Sequence, residues 1–133
     1  MSEQGSLRNR GAVYSLQYRL VWCPKYRRKV LVGPVANDLQ ALLNEKAHEL
    51  NVNIEALEIM PDHVQLFITA PPTKAPHYLA NQFKGYTSRV LREKYVDLRS
   101  RLPSLWSRSY YIGSVGHISD ETIKAFIEAQ PRS

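Results

Sequence analysis

VNIEALEIMPDHVQLFITA, residues 52–70, decides the fold. Two runs rich in β-branched and apolar side chains, Val52–Ile59 and His63–Ala70, flank Met60-Pro61-Asp62. The proline and aspartate suit a tight reversal, so the stretch predicts a β-hairpin. Along its second arm successive side chains point to opposite faces. Val64, Leu66 and Ile68 therefore enter a core, while His63 and Gln65 project together from the other side. An imidazole nitrogen and an amide oxygen on one face can both bind a divalent cation. The plainer alternative is a partly exposed strand histidine.

The pattern on either side of the hairpin extends the prediction. Upstream, residues 12–23 (AVYSLQYRLVWC) alternate through Val13, Ser15, Leu16, Tyr18, Leu20 and Trp22, the signature of one long strand that Pro24 ends. From Pro34 to about Asn51 the period changes, and Val35, Leu39, Leu42, Leu43, Ala47 and Leu50 form a helical stripe. Downstream, Pro71-Pro72 stops the hairpin. A second helix from Ala75 or Pro76 to Tyr95 then aligns Leu79, Phe83, Tyr86 and Val90, with Gly85 inside it. After a polar and basic connection containing Pro103, Trp106–Val115 is aromatic and β-branched and predicts a last strand. Ser119 can cap a final helix with Asp120 and Glu121 in its first turn and Ile123, Phe126 and Ile127 on its apolar side.

The order β-α-β-β-α-β plus a C-terminal helix predicts an α+β, ferredoxin-like antiparallel sheet with its two main helices on one face. The opposite face is left for a site. The expected organisation is a flexible N-terminal segment 1–11, a single domain 12–130 and a tail 131–133.

At 133 residues one domain buries roughly two-thirds of the surface its unfolded chain exposes. The single cysteine, Cys23, has no internal disulfide partner, and no apolar run suggests a signal peptide or membrane span. A cytoplasmic location and no membrane contact are expected. Against 12 acidic residues stand 18 basic ones, a net charge of +6 and a pI near 9.6, which favour a polyanionic partner. The cluster Lys25, Arg27, Arg28, Lys29 and the stretch from Lys84 to Arg108 are interleaved with Tyr26, Tyr86, Tyr95, Trp106, Tyr110 and Tyr111. Cations neutralise phosphates and rings stack on unpaired bases, a combination suited to single strands. A solvated basic face over core aromatics is the competing explanation. On the last helix Phe126 and Gln130 lie four apart on one face. Gln130 is thus either a third ligand or the polar end of a helix that Phe126 anchors.

Five ordered blocks carry a family resemblance: Leu20-Val21-Trp22-Cys23-Pro24-Lys25-Tyr26-Arg27-Arg28-Lys29-Val30-Leu31, Met60-Pro61-Asp62-His63-Val64-Gln65-Leu66-Phe67, Phe83-Lys84-Gly85, Trp106-Ser107-Arg108-Ser109-Tyr110-Tyr111 and Thr122-Ile123-Lys124-Ala125-Phe126-Ile127-Glu128-Ala129-Gln130. Together they resemble the small single-tyrosine transposases of the IS200/IS605 type, members of the HUH class of single-strand endonucleases. The resemblance implies a metal site in which two histidines flanking one hydrophobic residue, plus a glutamine on the last helix, hold Mg²⁺ or Mn²⁺ at the scissile phosphate. His63, Gln65 and Gln130 occupy those positions. It further implies that a tyrosine four residues before that glutamine attacks phosphorus, giving a 5′-phosphotyrosine link and a free 3′-OH.

Two positions depart from the pattern. Gln65 replaces the second histidine, which should weaken the metal site, and Phe126 replaces the nucleophile. Phenylalanine has no hydroxyl, so cleavage by this chain should fail while fold and DNA pocket survive. Tyr110 and Tyr111 are the first substitutes to consider. The resemblance also implies a homodimer whose last helices complete each other's sites, and a substrate of single-stranded DNA hairpins at element ends, held by Lys25, Arg27, Arg28, Lys84 and Arg89. The alternatives are a non-catalytic single-stranded DNA or RNA binding module on the same fold, and a metal-free dimeric interaction protein.

Overall fold

The computed structural model describes residues 7–9, 12–114, 116 and 119–133. Its elements in chain order are β1 (Leu7–Asn9), β2 (Ala12–Tyr14), β3 (Leu16–Trp22), α1 (Gly33–Leu50), β4 (Asn53–Met60), β5 (His63–Ala70), α2 (Pro76–Lys94), α3 (Val96–Arg101), β6 (Tyr111–Ser114) and α4 (Asp120–Glu128). A single 3-10 turn, Lys25–Arg27, follows β3. The main sheet is antiparallel in the order β4-β5-β3-β6, which is the ferredoxin-like arrangement the hairpin predicts. Met60 faces His63 across the Pro61-Asp62 reversal.

Burial follows the alternation. Leu20, Trp22, Val64, Leu66 and Ile68 are fully covered on one face, beneath Leu39 and Leu43 of α1 and Leu79, Phe83 and Leu91 of α2. Each such side chain contributes about 1.5–3 kcal/mol on removal from water, so this layer dominates the fold. The other face carries a smaller cluster: Val21 and Cys23 of the sheet segment under Ile123 and Ile127 of α4, with Tyr111 and Phe126 at its margin. Helix ends are set locally. Pro34 and Pro76 stand in the first turns of α1 and α2, where no N–H is required, and Asn51 closes α1 in the left-handed region at φ 61°. As expected, Ser119 caps α4, its hydroxyl accepting the Thr122 N–H at 3.1 Å.

Three elements differ from expectation. The long strand 12–23 is broken at Ser15. β3 pairs with β5 only as far as Leu16 opposite Ala70, beyond which β5 runs into Pro71-Pro72 and the ladder has no further partner. Ala12–Tyr14 pairs instead with Leu7–Asn9 in a separate two-stranded ladder. The rest of segment 1–11 lies outside the described residues. The last strand is confined to Tyr111–Ser114, opposite Tyr18–Val21. Trp106 makes only a single bridge to Pro24 and packs edge-on to Trp22 at 5.8 Å, so its apolar character serves the core rather than a ladder. Val115 falls outside the described residues. The basic connection before Pro103 contains a short helix, α3, that buries Leu98. Among the described residues no helix is long and apolar enough to cross a membrane.

Candidate active site

A cleft of about 320 Å³ opens between α4 and the face of the sheet opposite α1 and α2. His63 and Gln65 enter it from β5, Arg19 from β3, Arg27 from the turn after β3, and Lys124 and Glu128 from α4. The turn places Arg27 at a conformational cost. Tyr26 and Arg27 have φ of 61° and 54°, a region that costs non-glycine residues about 1–3 kcal/mol each. What the strain achieves is an anchored guanidinium: Arg27 Nε donates to Asp62 Oδ2 at 2.9 Å.

Asp62 in turn orients the imidazole. His63 Nδ1 lies 2.8 Å from Asp62 Oδ1. Burial pushes the Asp62 carboxyl up, but the bonds from His63 and Arg27 outweigh it and hold the group below the usual carboxylate range. An ionised carboxylate only accepts, so Nδ1 carries a proton towards Asp62 and the other ring nitrogen, Nε2, is turned away from that bond. Gln65 is engaged on both ends: its Oε1 accepts from Arg19 Nη2 at 3.1 Å and its Nε2 donates to Glu58 Oε1 at 3.2 Å. Arg19 also reaches Asp120 at 2.9 Å and stacks over Phe67 at 4.8 Å, while its Nε is buried without a partner.

Gln130 is not in the cleft. It lies just beyond α4, buried, with Oε1 accepting from Ser107 Oγ (3.1 Å) and Ser109 Oγ (3.0 Å) and Nε2 donating to the Phe126 carbonyl (3.1 Å). The structure thus brings His63 and Gln65 together but turns Gln130 away from them. Phe126 also stands outside the cleft lining, its ring edge-on to Tyr111 at 5.9 Å. A divalent ion does not fit the residues as placed. One imidazole nitrogen is free, one amide oxygen is occupied by a guanidinium, and the third donor faces elsewhere. Arg19, Arg27 and Lys124 line the same space, and of the carboxylates that hard cations favour, Asp62 and Asp120 are already paired with Arg27 and Arg19, leaving Glu128 on α4. Among the described residues no three His, Cys, Asp or Glu side chains are grouped to hold a metal.

Of the residues read as DNA contacts, Lys25 and Arg28 sit over the Tyr26 ring at 5.4 and 5.9 Å, and Arg89 sits over Tyr86 at 5.5 Å. Arg27 faces the cleft. Lys84 is half-buried, its ammonium directed at backbone carbonyls of residues 107–109. Tyr110 bonds His77 through its hydroxyl at 3.0 Å, and neither Tyr110 nor Tyr111 lines the cleft. Missed by sequence reasoning were Arg19, Asp62 and the serines that hold Gln130. Asp62 adjoins His63, and an acid beside a candidate ligand is the signal that would have found it. A second concavity, about 690 Å³, has a floor that includes Val32, Val35 and Leu98, with Arg28, Lys29 and Arg101 also in its lining.

A ferredoxin-like sheet with α1 and α2 on one face, and with α4 beside an imidazole-bearing cleft on the other, places this basic chain in the α+β class. The chain belongs to the family of IS200-like transposases: the family model described as Transposase IS200 like matches residues 12–130. It is 38% identical over 125 residues to the ISDra2 transposase TnpA of Deinococcus radiodurans, covering 92% of this chain and 89% of that protein. A crystal structure of a Deinococcus radiodurans R1 protein described as a transposase superposes with a TM-score of 0.89 at 32% identity, covering 96% of this chain and 99% of that one. A REP-associated tyrosine transposase bound to a REP hairpin shares the fold at a TM-score of 0.57 and 13% identity, with 98% of this chain and 70% of that one covered.

Proposed function

We propose that this IS200-type transposase chain binds single-stranded DNA hairpins of the kind found at element ends, and that in this form it does not cut them through a phosphotyrosine. The observation that carries the reading is the chemistry of the cleft: among the described residues it contains an oriented imidazole, Lys124 and two guanidiniums beside the carboxylates of Asp62, Asp120 and Glu128, but is lined by no tyrosine, serine or cysteine. Such a lining offers a phosphate charge-assisted hydrogen bonds from Lys124 and from the guanidinium nitrogens that Asp62 and Asp120 leave unpaired, and no hydroxyl or thiol to attack it. Hairpin binding is supported by the exposed Arg28 and Arg89, each beside a partly buried tyrosine ring, by the basic second concavity, and by the hairpin-bound protein that shares this fold.

A homodimer in which α4 of one chain completes the site of the other belongs to the same proposal. It is supported by the position of Phe126 and Gln130, which do not reach the cleft of their own chain. Sedimentation at rising protein concentration tests it; a monomer at all concentrations removes it.

The functional test measures binding of labelled hairpin DNA and unstructured RNA at several salt concentrations, with denaturing gels to detect covalent adducts. The native chain is expected to prefer the hairpin, to bind with steep salt dependence, and to form no adduct. Arg28→Ala and Arg89→Ala should each flatten the salt slope by about one. Mg²⁺ or Mn²⁺, the expected cofactor, enters through variants: Phe126→Tyr combined with Gln65→His is expected to yield an adduct in Mn²⁺, and Phe126→Tyr alone much less. An adduct formed by the native chain sinks the cleavage-deficient reading. Equal affinity for RNA and hairpin DNA transfers the chain to the general single-strand binding class.

A further inference from the structure

Lys84 lies in the middle of α2, in a stretch where sequence reasoning assigns it to DNA. Its surroundings point elsewhere. Nζ lies 2.9 Å from the Ser107 carbonyl, 3.2 Å from that of Arg108 and 3.4 Å from that of Ser109, with the Tyr110 ring 5.1 Å below. Three successive carbonyls converging on one ammonium use its three donors, leaving none for a phosphate. The segment they belong to is tied on its other side to the end of β3, where Ser107 N–H donates to the Cys23 carbonyl and Lys25 N–H to that of Leu105. Between those anchors the hydroxyls of Ser107 and Ser109 both reach Gln130 Oε1, and Gln130 Nε2 closes onto the Phe126 carbonyl. One chain of hydrogen bonds therefore runs from α2 through the 107–109 backbone to the C-terminal end of α4.

We propose that Lys84 is a positioning residue: its ammonium clamps the 107–109 backbone so that Ser107 and Ser109 present their hydroxyls to Gln130, latching α4 to its own chain and holding Gln130 away from the His63 cleft. Burial supports the assignment, pushing the ammonium down to about 8, where a phosphate contact in open solvent would be left fully hydrated. So does the chemistry of the latch. Gln130 is one of the few buried polar side chains, and its amide oxygen has these two hydroxyls as its partners. The proposal deepens the functional reading of Gln130, yet one arm of its test is independent of DNA.

The test compares Lys84→Met, which keeps the stem and removes the charge, with Lys84→Arg, which can again donate to several carbonyls. The first measurement is NMR of the free protein. Lys84→Met is expected to shift the backbone signals of Ser107–Ser109 and the side-chain amide of Gln130, and to speed amide exchange in α4 on the order of tenfold; Lys84→Arg restores both. A Ser107→Ala/Ser109→Ala chain, with Lys84 intact, should loosen α4 alike, and it decides the matter if Lys84→Met fails to fold. The second measurement is the salt slope of hairpin binding, expected to be the same for Lys84→Met and the native chain. A slope lowered by about one, with unmoved signals at 107–109 and Gln130, makes Lys84 a phosphate contact and overturns the proposal. Failure of every chain to bind DNA counts against the proposed function only, since the NMR measurement still decides the latch.

Discussion

Replacing Ile127 by alanine should open α4 without unfolding the sheet. The helix grips its face of the sheet through Ile123 and Ile127, 3% and 9% exposed, which sit on Val21 and Cys23. At about 1.5–3 kcal/mol for each buried isoleucine, the apolar grip is worth roughly 3–6 kcal/mol. The Ser119 cap adds about 1 kcal/mol. Ile127 lies at the edge of a small cluster that can collapse around a gap, so its truncation belongs near the low end of the observed range, about 2 kcal/mol. That raises the open population roughly 30-fold. Hydrogen exchange reads it directly: the amides of Ile123 and Ala129, bonded to Ser119 and Ala125 carbonyls, should exchange about 30-fold faster. Amides of β3 and β5 should hold their native protection. Exchange that accelerates equally in β3, β5 and α4 would show that α4 has no separate opening and refute the two-layer account of the core.

Three further outcomes follow from local contacts. Ser119→Ala removes the cap of α4 and should cost about 1 kcal/mol, visible as several-fold faster exchange at Ile123 with little change in β3. Thr87→Val keeps the shape of a fully buried residue but strands the Trp106 indole N–H, which now donates to Thr87 Oγ1 at 3.0 Å; a loss of about 1–3 kcal/mol should appear in urea unfolding. Cys23 is buried, and desolvation, with the Asp62 charge, pushes its thiol up to about 12. The thiol form therefore persists at pH 8, and alkylation of the folded protein should be far slower than of the urea-unfolded chain. Ile127→Ala should speed that alkylation by the same factor as α4 exchange; rapid labelling of the native chain would contradict the burial.

Periodicity was sufficient for the architecture because each main element covers one face, and one-sided burial imprints a period of two on β5, and on β4 beyond the register shift between Ile54 and Ala56, and of 3.6 on α1 and α2. The same physics placed His63 and Gln65 on one side of β5 and supplied the cap at Ser119. It misled at Trp106, whose bulk reads as strand but fills a gap beside Trp22, and at Ser15, where the ladder runs out of partners. A strand's length depends on its neighbour, which no local pattern records.

The sequence by itself determined the family and the fold, because identity and alternation are properties of the chain in order. Only the tertiary structure decided which groups meet. Arg27 reaches Asp62 through two strained residues, Arg19 takes the Gln65 amide, and Gln130 turns to Ser107 and Ser109 instead of His63. Those contacts join residues from 21 to 46 positions apart; the first two follow from the register of β3 on β5 and the turns beside it, the last from how α4 and the 107–109 segment settle on the sheet. Basic residues look alike in sequence; burial against backbone carbonyls separates Lys84 from the cations that face solvent.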